Sequence, residues 1–414
     1  MIAVEIITIG DELLIGQVID TNSPWMAHEL NAIGFDVRYK TTVGDNEEDI
    51  LSAFKKSLER AKVVLVTGGI GPTKDDITKK TLCKFFNTSL VFDEKTLETV
   101  ESIIRGYGRE LNELTRNQAY VPQNCTVIQN RMGTAPVTWF ETEGKILVSM
   151  PGVPYEMKWV MQEEILPHLQ VFFHSADAIL HRTFWVKNYP EALLAIHLDT
   201  FENELPPNIK LAYLPTSGLI RLRLTGKGED AEELSKQMEE QRKKLLACLD
   251  KDIVSEIDDN LENILDKRLK ERNLTLSLAE SCTGGKLASL ITAIPGCSSY
   301  FKGGIVCYSN EIKQKLLGVS SSLLDKYGAV SQQVVEAMVV GAYRTFQTDC
   351  AIAVSGITGP DGGTPEKPVG TVWIAVSYKN CIISQKYQFS QNRESNILRA
   401  CNNGFRMLLE IINE

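Results

Sequence analysis

Two spacings of apolar residues divide the chain. Continuous apolar runs of five to eight residues predict buried strands, and apolar residues recurring every three to four positions predict helices. Ile2–Ile9 is the first such run, residues 22–33 carry helical spacing, and Val37–Val43 predicts the next strand. Asp45 with Glu48 reads as a capping box that opens a helix to Ala61. Val63–Thr67 is another strand and runs into Gly68-Gly69-Ile70-Gly71-Pro72-Thr73-Lys74-Asp75-Asp76. Strands alternating with helices predict a parallel sheet covered on both faces. A helix from Tyr155 to His168 closes this first domain, residues 1–170.

Residues 175–256 differ in pattern and predict a small α/β domain. Thr183–Val186 reads as a strand, Pro190–Asp199 as a helix, and Ile209–Leu214 with Leu219–Thr225 as a hairpin. Asp230–Leu249 is a charged amphipathic helix, read most simply as a solvated face. Asp258-Asp259-Asn260 caps a helix to Arg272, which opens the last domain, residues 258–414. There Leu276 and Leu278 suit a buried strand end, followed by Ser281-Cys282-Thr283-Gly284-Gly285 and a helix over Lys286–Ile294. A polar turn, Gly296-Cys297-Ser298-Ser299, comes next. Gly303-Gly304 then precedes a strand, Ile305–Tyr308, that leads to Lys313. Val334–Thr345 predicts a helix, and Cys350–Ser355 a strand ending in the glycine loop of residues 356–363. Val369–Tyr378 and Ile382–Phe389 pair as late strands, and Asn392-Arg393-Glu394 starts a final helix. The expected architecture is α/β in three domains.

Composition narrows the function. A length of 414 residues with 43% hydrophobic and 23% charged content is ordinary for a soluble multidomain protein. A formal charge of −9 argues against a nucleic-acid partner, as does the lack of a GxxG clamp with basic flanks in the middle domain. Nine cysteines without CxxC or zinc spacing read as reduced thiols of a cytoplasmic protein. MIAVEIITIG lacks the basic start of a signal peptide, and no apolar run is long enough to span a bilayer.

The small hydroxyl and glycine residues at 281–285 sit where a strand turns into a helix, where free N–H groups hold a phosphate or an oxyanion. A serine nucleophile needs a base, and all five histidines, His28, His168, His174, His181 and His197, lie in the first half of the chain. A lysine kept neutral by burial is the alternative, with Lys286, Lys302 and Lys313 at hand. On the residues alone Ser281, Ser298, Ser299 and Cys282 all remain open as nucleophiles. Ser281 and Thr283 also read as helix caps, and Cys282 as a small buried residue. In the first domain, Gly10-Asp11-Glu12 and the Gly68 loop lie at strand carboxyl ends, where ligands of parallel sheets bind. The glycine loop admits a phosphate. Asp75 and Asp76 either hold a divalent cation or cap a turn.

AESCTGG, GCSSYFKGGIVCYSNEIK, YGAVS and SGITGPDGGTPEKPVGTVW, within residues 260–410, resemble the C-terminal domain of the CinA family. The resemblance implies a nicotinamide-mononucleotide deamidase, a serine amidohydrolase with a Ser/Lys dyad and no cofactor. It places the nucleophile on Ser298, the base on Lys313 and the active-site tyrosine on Tyr308. It also implies substrate contacts from Ser281, Thr283, Gly284, Gly303, Gly304, Thr358, Gly359 and Arg393. GGIGPTKDD and IGDELLIGQVIDTN resemble the molybdopterin-binding (MoaB/MogA-like) domain that opens CinA proteins. That implies ADP-ribose pyrophosphatase activity with Mg or Co. The nucleotide site would comprise Asp11, Glu12, Asn22, Asp45, Gly68, Gly69, Gly71 and Thr73, and the metal would sit at Asp75 and Asp76.

Val137 replaces the last glycine of a GTAPG pattern and is expected to narrow this pocket. Met150-Pro151-Gly152-Val153-Pro154 and Glu156 match the family's closing loop. The middle domain is similar to a small KH-like α+β domain, but Lys187-Asn188-Tyr189-Pro190-Glu191 stands in place of its glycine-rich run, so no function is carried over to that turn. Small nucleotides are the implied partners, and a homodimer the implied assembly. Two rival readings stand beside this one: a non-catalytic nucleotide-binding or regulatory protein, and a protein that is chiefly an ADP-ribose pyrophosphatase.

Overall fold

The computed structural model describes residues 1–73, 76–173, 178–216, 218–379 and 381–413. Its contacts gather into two compact units, Met1–Leu180 with Gly226–Met238, and His181–Thr225 with Glu239–Glu414. The stretch expected as a separate middle domain is therefore divided between two units.

The first unit holds β1 (Ala3–Ile9), β2 (Asp36–Val43), β3 (Val63–Thr67), β4 (Leu90–Phe92), β5 (Tyr120–Pro122), β6 (Thr126–Ile128), β7 (Val137–Thr142) and β8 (Lys145–Met150). Six of these form one sheet in the order β2-β1-β3-β8-β7-β6, while β4 and β5 pair separately. The four strands β2, β1, β3 and β8 run parallel, and β7 and β6 turn antiparallel at one edge. Burial on both faces explains the continuous apolar runs. Val4, Ile6, Val63, Leu65 and Val148 fill one face, and Ile7, Ile9, Val64, Val66 and Leu147 the other. Helix Glu47–Arg60 is capped by Asn46, whose side chain accepts from the amides of Glu48 and Asp49, so the expected cap at Asp45 moves one residue on. Asp45 is taken instead by Asp11, whose carboxylate accepts from the Asp45 amide at 3.2 Å.

A four-stranded sheet follows, made of β9 (Ala178–Val186), β10 (Ile209–Pro215), β11 (Ile220–Gly228) and β12 (Ile253–Ser255), in the order β10-β11-β9-β12. The charged helix spans Ala231–Leu249.

The site-bearing sheet comprises β13 (Leu276–Glu280), β14 (Phe301–Val306), β15 (Cys350–Gly356), β16 (Thr371–Tyr378) and β17 (Cys381–Gln388), in the order β14-β13-β15-β16-β17. β13 runs parallel to both neighbours, so its carboxyl end points the same way as theirs. Leu278, Ile352, Val354, Phe405 and Leu408 pack one face under helix Arg393–Asn413. Ala279, Ala351, Ala353, Met338 and Val339 pack the other under helix Gln332–Phe346. β14 begins at Phe301 and ends at Val306, so Gly303 and Gly304 lie within the strand. A side chain at Gly303 would stand 2.6 Å from the ring of Phe346, and one at Gly304 3.1 Å from Leu278. At both positions packing leaves no room for a side chain.

Candidate active site

β13 ends in Glu280, which is 1% exposed and the only charged residue of the strand. Its carboxylate turns toward the start of helix Lys286–Thr292 and accepts three amide hydrogens, from Gly285 (3.0 Å), Leu287 (3.0 Å) and Ala288 (2.9 Å). Gly284 (φ 59) and Gly285 (φ 98) take the left-handed backbone that lets the chain make this turn. The helix start expected to hold a phosphate is thus already filled by a protein carboxylate. Ser281 is fixed at the turn's beginning by its own amide, which donates to the Val354 carbonyl at 3.0 Å.

Lys313 lies within helix Asn310–Leu317, not at a strand end, and is 1% exposed. Its Nζ donates to Ser281 Oγ (3.1 Å), the Cys307 carbonyl (2.8 Å) and the Tyr308 carbonyl (3.3 Å). Burial holds its pKa below the ordinary lysine value. Two carbonyls and one hydroxyl make a set that also suits the neutral amine: the carbonyls take its two hydrogens, and the lone pair faces Ser281. Cys282 and Cys307 lie in the same buried region, and burial pushes their thiols up to about 12 and about 11, which keeps them protonated.

Ser298 is elsewhere. It is exposed on the short turn Cys297–Ser299, and the following Tyr300 carbonyl accepts from the amide of Leu276, at the beginning of β13. Ser281 follows the other end of that strand. Five residues at about 3.3 Å of rise separate the two ends by about 17 Å. The expected pairing of Ser298 with Lys313 is corrected by this register, and the serine at Lys313 is Ser281. Ser299 Oγ donates to the Gly296 carbonyl at 2.9 Å.

Arg393 gathers two other expected residues. Its guanidinium donates to the Gly359 carbonyl (2.8 Å) and to Tyr308 Oη (3.3 Å), and the next carbonyl back, Thr358, accepts from buried Asn396 (3.1 Å). Arg393 also lines an open cleft of about 660 Å³ with Thr283, Gly284, Gly285, Lys286 and Ser289. Thr283 is 4% exposed, and its hydroxyl has no partner among the described residues.

The first unit carries a second pocket of about 410 Å³ beyond the carboxyl ends of β1 and β3. Of the expected nucleotide residues, Glu12, Asn22, Asp45, Gly68, Gly69 and Gly71 line it, while Asp11 and Thr73 do not. Asn22 donates to the Gly152 carbonyl (2.7 Å) and to Thr67 Oγ1 (3.3 Å), leaving its own buried Oδ1 unpartnered among the described residues. The glycines here seat carboxylates. A Cβ at Gly10 would lie 2.4 Å from Glu12, one at Gly71 2.6 Å from Asp76, and one at Gly133 2.0 Å from Glu156. Glu156 is buried beside Asn130, whose Nδ2 donates to it at 2.7 Å, and burial raises its pKa. No lysine, arginine or histidine among the described residues lines this pocket.

Asp76 accepts from the Thr73 amide (2.8 Å) and hydroxyl, which closes the loop, and Asp75 lies outside the described residues. Among the described residues no three His, Cys, Asp or Glu side chains converge as a metal-holding group. Val137 is buried in the core at the start of β7 and does not line the pocket, so it does not narrow it as expected. The sequence reading assigned no role to Glu280 and placed Glu156 only in a closing loop. The signal for Glu280 is an acidic residue closing an apolar strand.

A CinA-like protein of Flavobacterium psychrophilum is 43% identical over 409 residues, covering 98% of this chain and 98% of its own length. The chain belongs to the CinA family. Another CinA-like protein, from Cytophaga hutchinsonii, is 42% identical over 393 residues, 95% of this chain and 94% of its own. The CinA C-terminal domain model matches residues 258–412, which include the whole Ser281–Lys313 site, and the model of a probable molybdopterin binding domain matches residues 5–171. Among solved structures, the competence/damage inducible protein of Agrobacterium tumefaciens is 35% identical, covering 37% of this CinA chain and 94% of its own, with a TM-score of 0.36.

Proposed function

We propose that the C-terminal CinA domain hydrolyses the carboxamide of nicotinamide mononucleotide to nicotinate mononucleotide and ammonia, with Ser281 as nucleophile and Lys313 as base. The observation that carries this reading is a buried lysine amine 3.1 Å from a serine hydroxyl, with two backbone carbonyls as its other hydrogen-bond partners. Lys313, neutral when poised, takes the Ser281 proton as Oγ bonds to the carboxamide carbon. The amides of Cys282 and Thr283, which the Glu280 carboxylate does not take, are the donors that would hold the developing oxyanion. Lys313 then gives its proton to the departing nitrogen, ammonia leaves, and water cleaves the acyl-serine ester. Lys286 and Arg393 line the cleft as cations for the phosphate. Thr283 Oγ1 is a buried hydroxyl that a bound nucleotide would satisfy. Ammonia release from nicotinamide mononucleotide tests the reading: activity in the wild type and none in Lys313→Ala supports it, and a folded wild type without activity refutes it.

For the first unit we propose a nucleotide-binding role that depends on a counter-cation. Five carboxylates and no basic side chain among the described lining residues would repel a bare phosphate. The oxygen donors suit a divalent ion. ADP-ribose hydrolysis measured with magnesium or cobalt, and with chelator, tests this second reading. Turnover unaffected by chelator would sink it.

A further inference from the structure

The fold spends the first turn of helix Lys286–Thr292 on Glu280. In sheet proteins of this kind such a helix start is an anion site, because its amides have no partner within the helix. Here three of those amides converge on one carboxylate at 2.9–3.0 Å, and that carboxylate is 1% exposed. Glu280 also anchors the other wall of the site. Its backbone carbonyl accepts from the Cys307 amide at 2.8 Å, and the Cys307 carbonyl in turn accepts from Lys313. One residue thus ties together the strand end that carries Ser281, the helix start and the carbonyl that orients the lysine.

Resting on the proposed serine–lysine reading, we propose that Glu280 is a positioning residue: its carboxylate locks the Ser281–Gly285 turn in register with Lys313 and denies the helix start to the substrate phosphate. Two consequences follow. First, the Ser281 hydroxyl is held by the turn, so loss of the carboxylate relaxes residues 281–285 and lengthens the Ser281–Lys313 contact. Second, the phosphate of a nucleotide substrate meets the Lys286 and Arg393 side chains that line the cleft and not the amides of the turn. Glu280 touches no reacting atom and acts through the turn.

The test uses full-length protein and a fluorophosphonate probe. Ser281 Oγ attacks phosphorus, a P–O bond forms, the P–F bond breaks, fluoride leaves, and Lys313 takes the hydroxyl proton. Labelling is followed by intact mass and located by peptide mapping. Glu280→Gln keeps the size but cannot accept three amides as an anion. Glu280→Asp keeps the charge but is too short to reach all three. Both are expected to label Ser281 about a hundredfold more slowly than wild type, the scale of an ångström-sized misplacement. The pH midpoint of labelling, which reports Lys313, is expected to stay where it is. In Glu280→Ala, added formate refills the vacated amides and restores part of the rate, a result that a purely structural role would not give.

Wild-type labelling rates in both conservative variants, with circular dichroism confirming the fold, would overturn the inference while leaving the dyad standing. A wild type that does not label at Ser281 would remove the dyad, and the inference with it. A variant rate that falls together with a shifted pH midpoint would also overturn it, because Glu280 would then be acting on the lysine's charge and not on geometry.

Discussion

Ser281→Ala and Ser298→Ala separate the two serines. In the structure, Lys313 Nζ stands 3.1 Å from Ser281 Oγ, whereas the Ser298 turn sits at the opposite end of β13. About 17 Å of strand lies between them, so no rotamer change of either side chain can exchange their roles. A base acts on a proton within hydrogen-bond reach, about 2.6–3.2 Å. Loss of the nucleophile from a cooperating pair leaves only what binding and oxyanion contacts supply, so Ser281→Ala is expected to lower kcat at least a thousandfold, about 4 kcal/mol of barrier. Ser298→Ala is exposed and is expected to stay within a factor of about three. Lys313→Ala should match Ser281→Ala, and the double variant should be little worse than either, because the two act as a unit.

The sign of the pH dependence follows from burial. It lowers the Lys313 pKa, so the neutral amine gains population at a lower pH than an ordinary lysine would allow. The rate should rise with pH and level off once that lowered pKa is passed. The assay is the initial rate of ammonia release from nicotinamide mononucleotide across pH, with folding checked by circular dichroism. A dead Ser298→Ala beside an active Ser281→Ala would refute the reasoning, and so would a rate that falls as pH rises through the alkaline range.

Three further outcomes are expected. Leu278→Ala empties a fully buried site in the middle of β13 and should cost about 2–5 kcal/mol in denaturant unfolding of the full-length protein. Asn46→Ala removes both cap bonds of helix Glu47–Arg60 and should cost about 0.5–2 kcal/mol in the same denaturant unfolding. Gly133→Ala places a methyl 2.0 Å from the Glu156 carboxylate and should destabilise the first unit and weaken ligand binding at its pocket, read by thermal shift with and without ADP-ribose and magnesium.

Strand positions were the most legible part of the sequence, because buried parallel strands are apolar on both faces. Val63–Thr67 is predicted and found with the same ends. Boundaries slipped where the chain is amphipathic: β14 alternates burial along its length, so its first residues, Phe301 and Lys302, carry no apolar run and the strand reads as starting at Ile305. A separate omission, the short helix Asn310–Leu317, left Lys313 just past a strand end when it belongs to that helix.

The serine was harder to place. Ser281 and Ser298 both sit on polar turns before short elements, and one-dimensional spacing does not say which end of β13 each turn occupies; only the pairing of Leu276 with Phe301 does. Glycine roles were likewise hidden. A glycine that admits a ligand and one that admits a neighbouring carboxylate look alike in a sequence, and at Gly71 and Gly133 the neighbour lies five and twenty-three residues away.

The seating of carboxylates on glycines constrains how this pocket can change over evolutionary time. At Gly133 a side chain is forbidden only while Glu156 occupies the space above it. A lineage that shortened Glu156 to alanine would free position 133 to accept a residue of its own, while a lineage that first lost the glycine would have to swing the Glu156 carboxylate away from Asn130. The order of the two steps is therefore not symmetrical. The glutamate must yield first, and descendants should show the pair replaced together or the glutamate replaced alone, with the glycine alone replaced rarest of all.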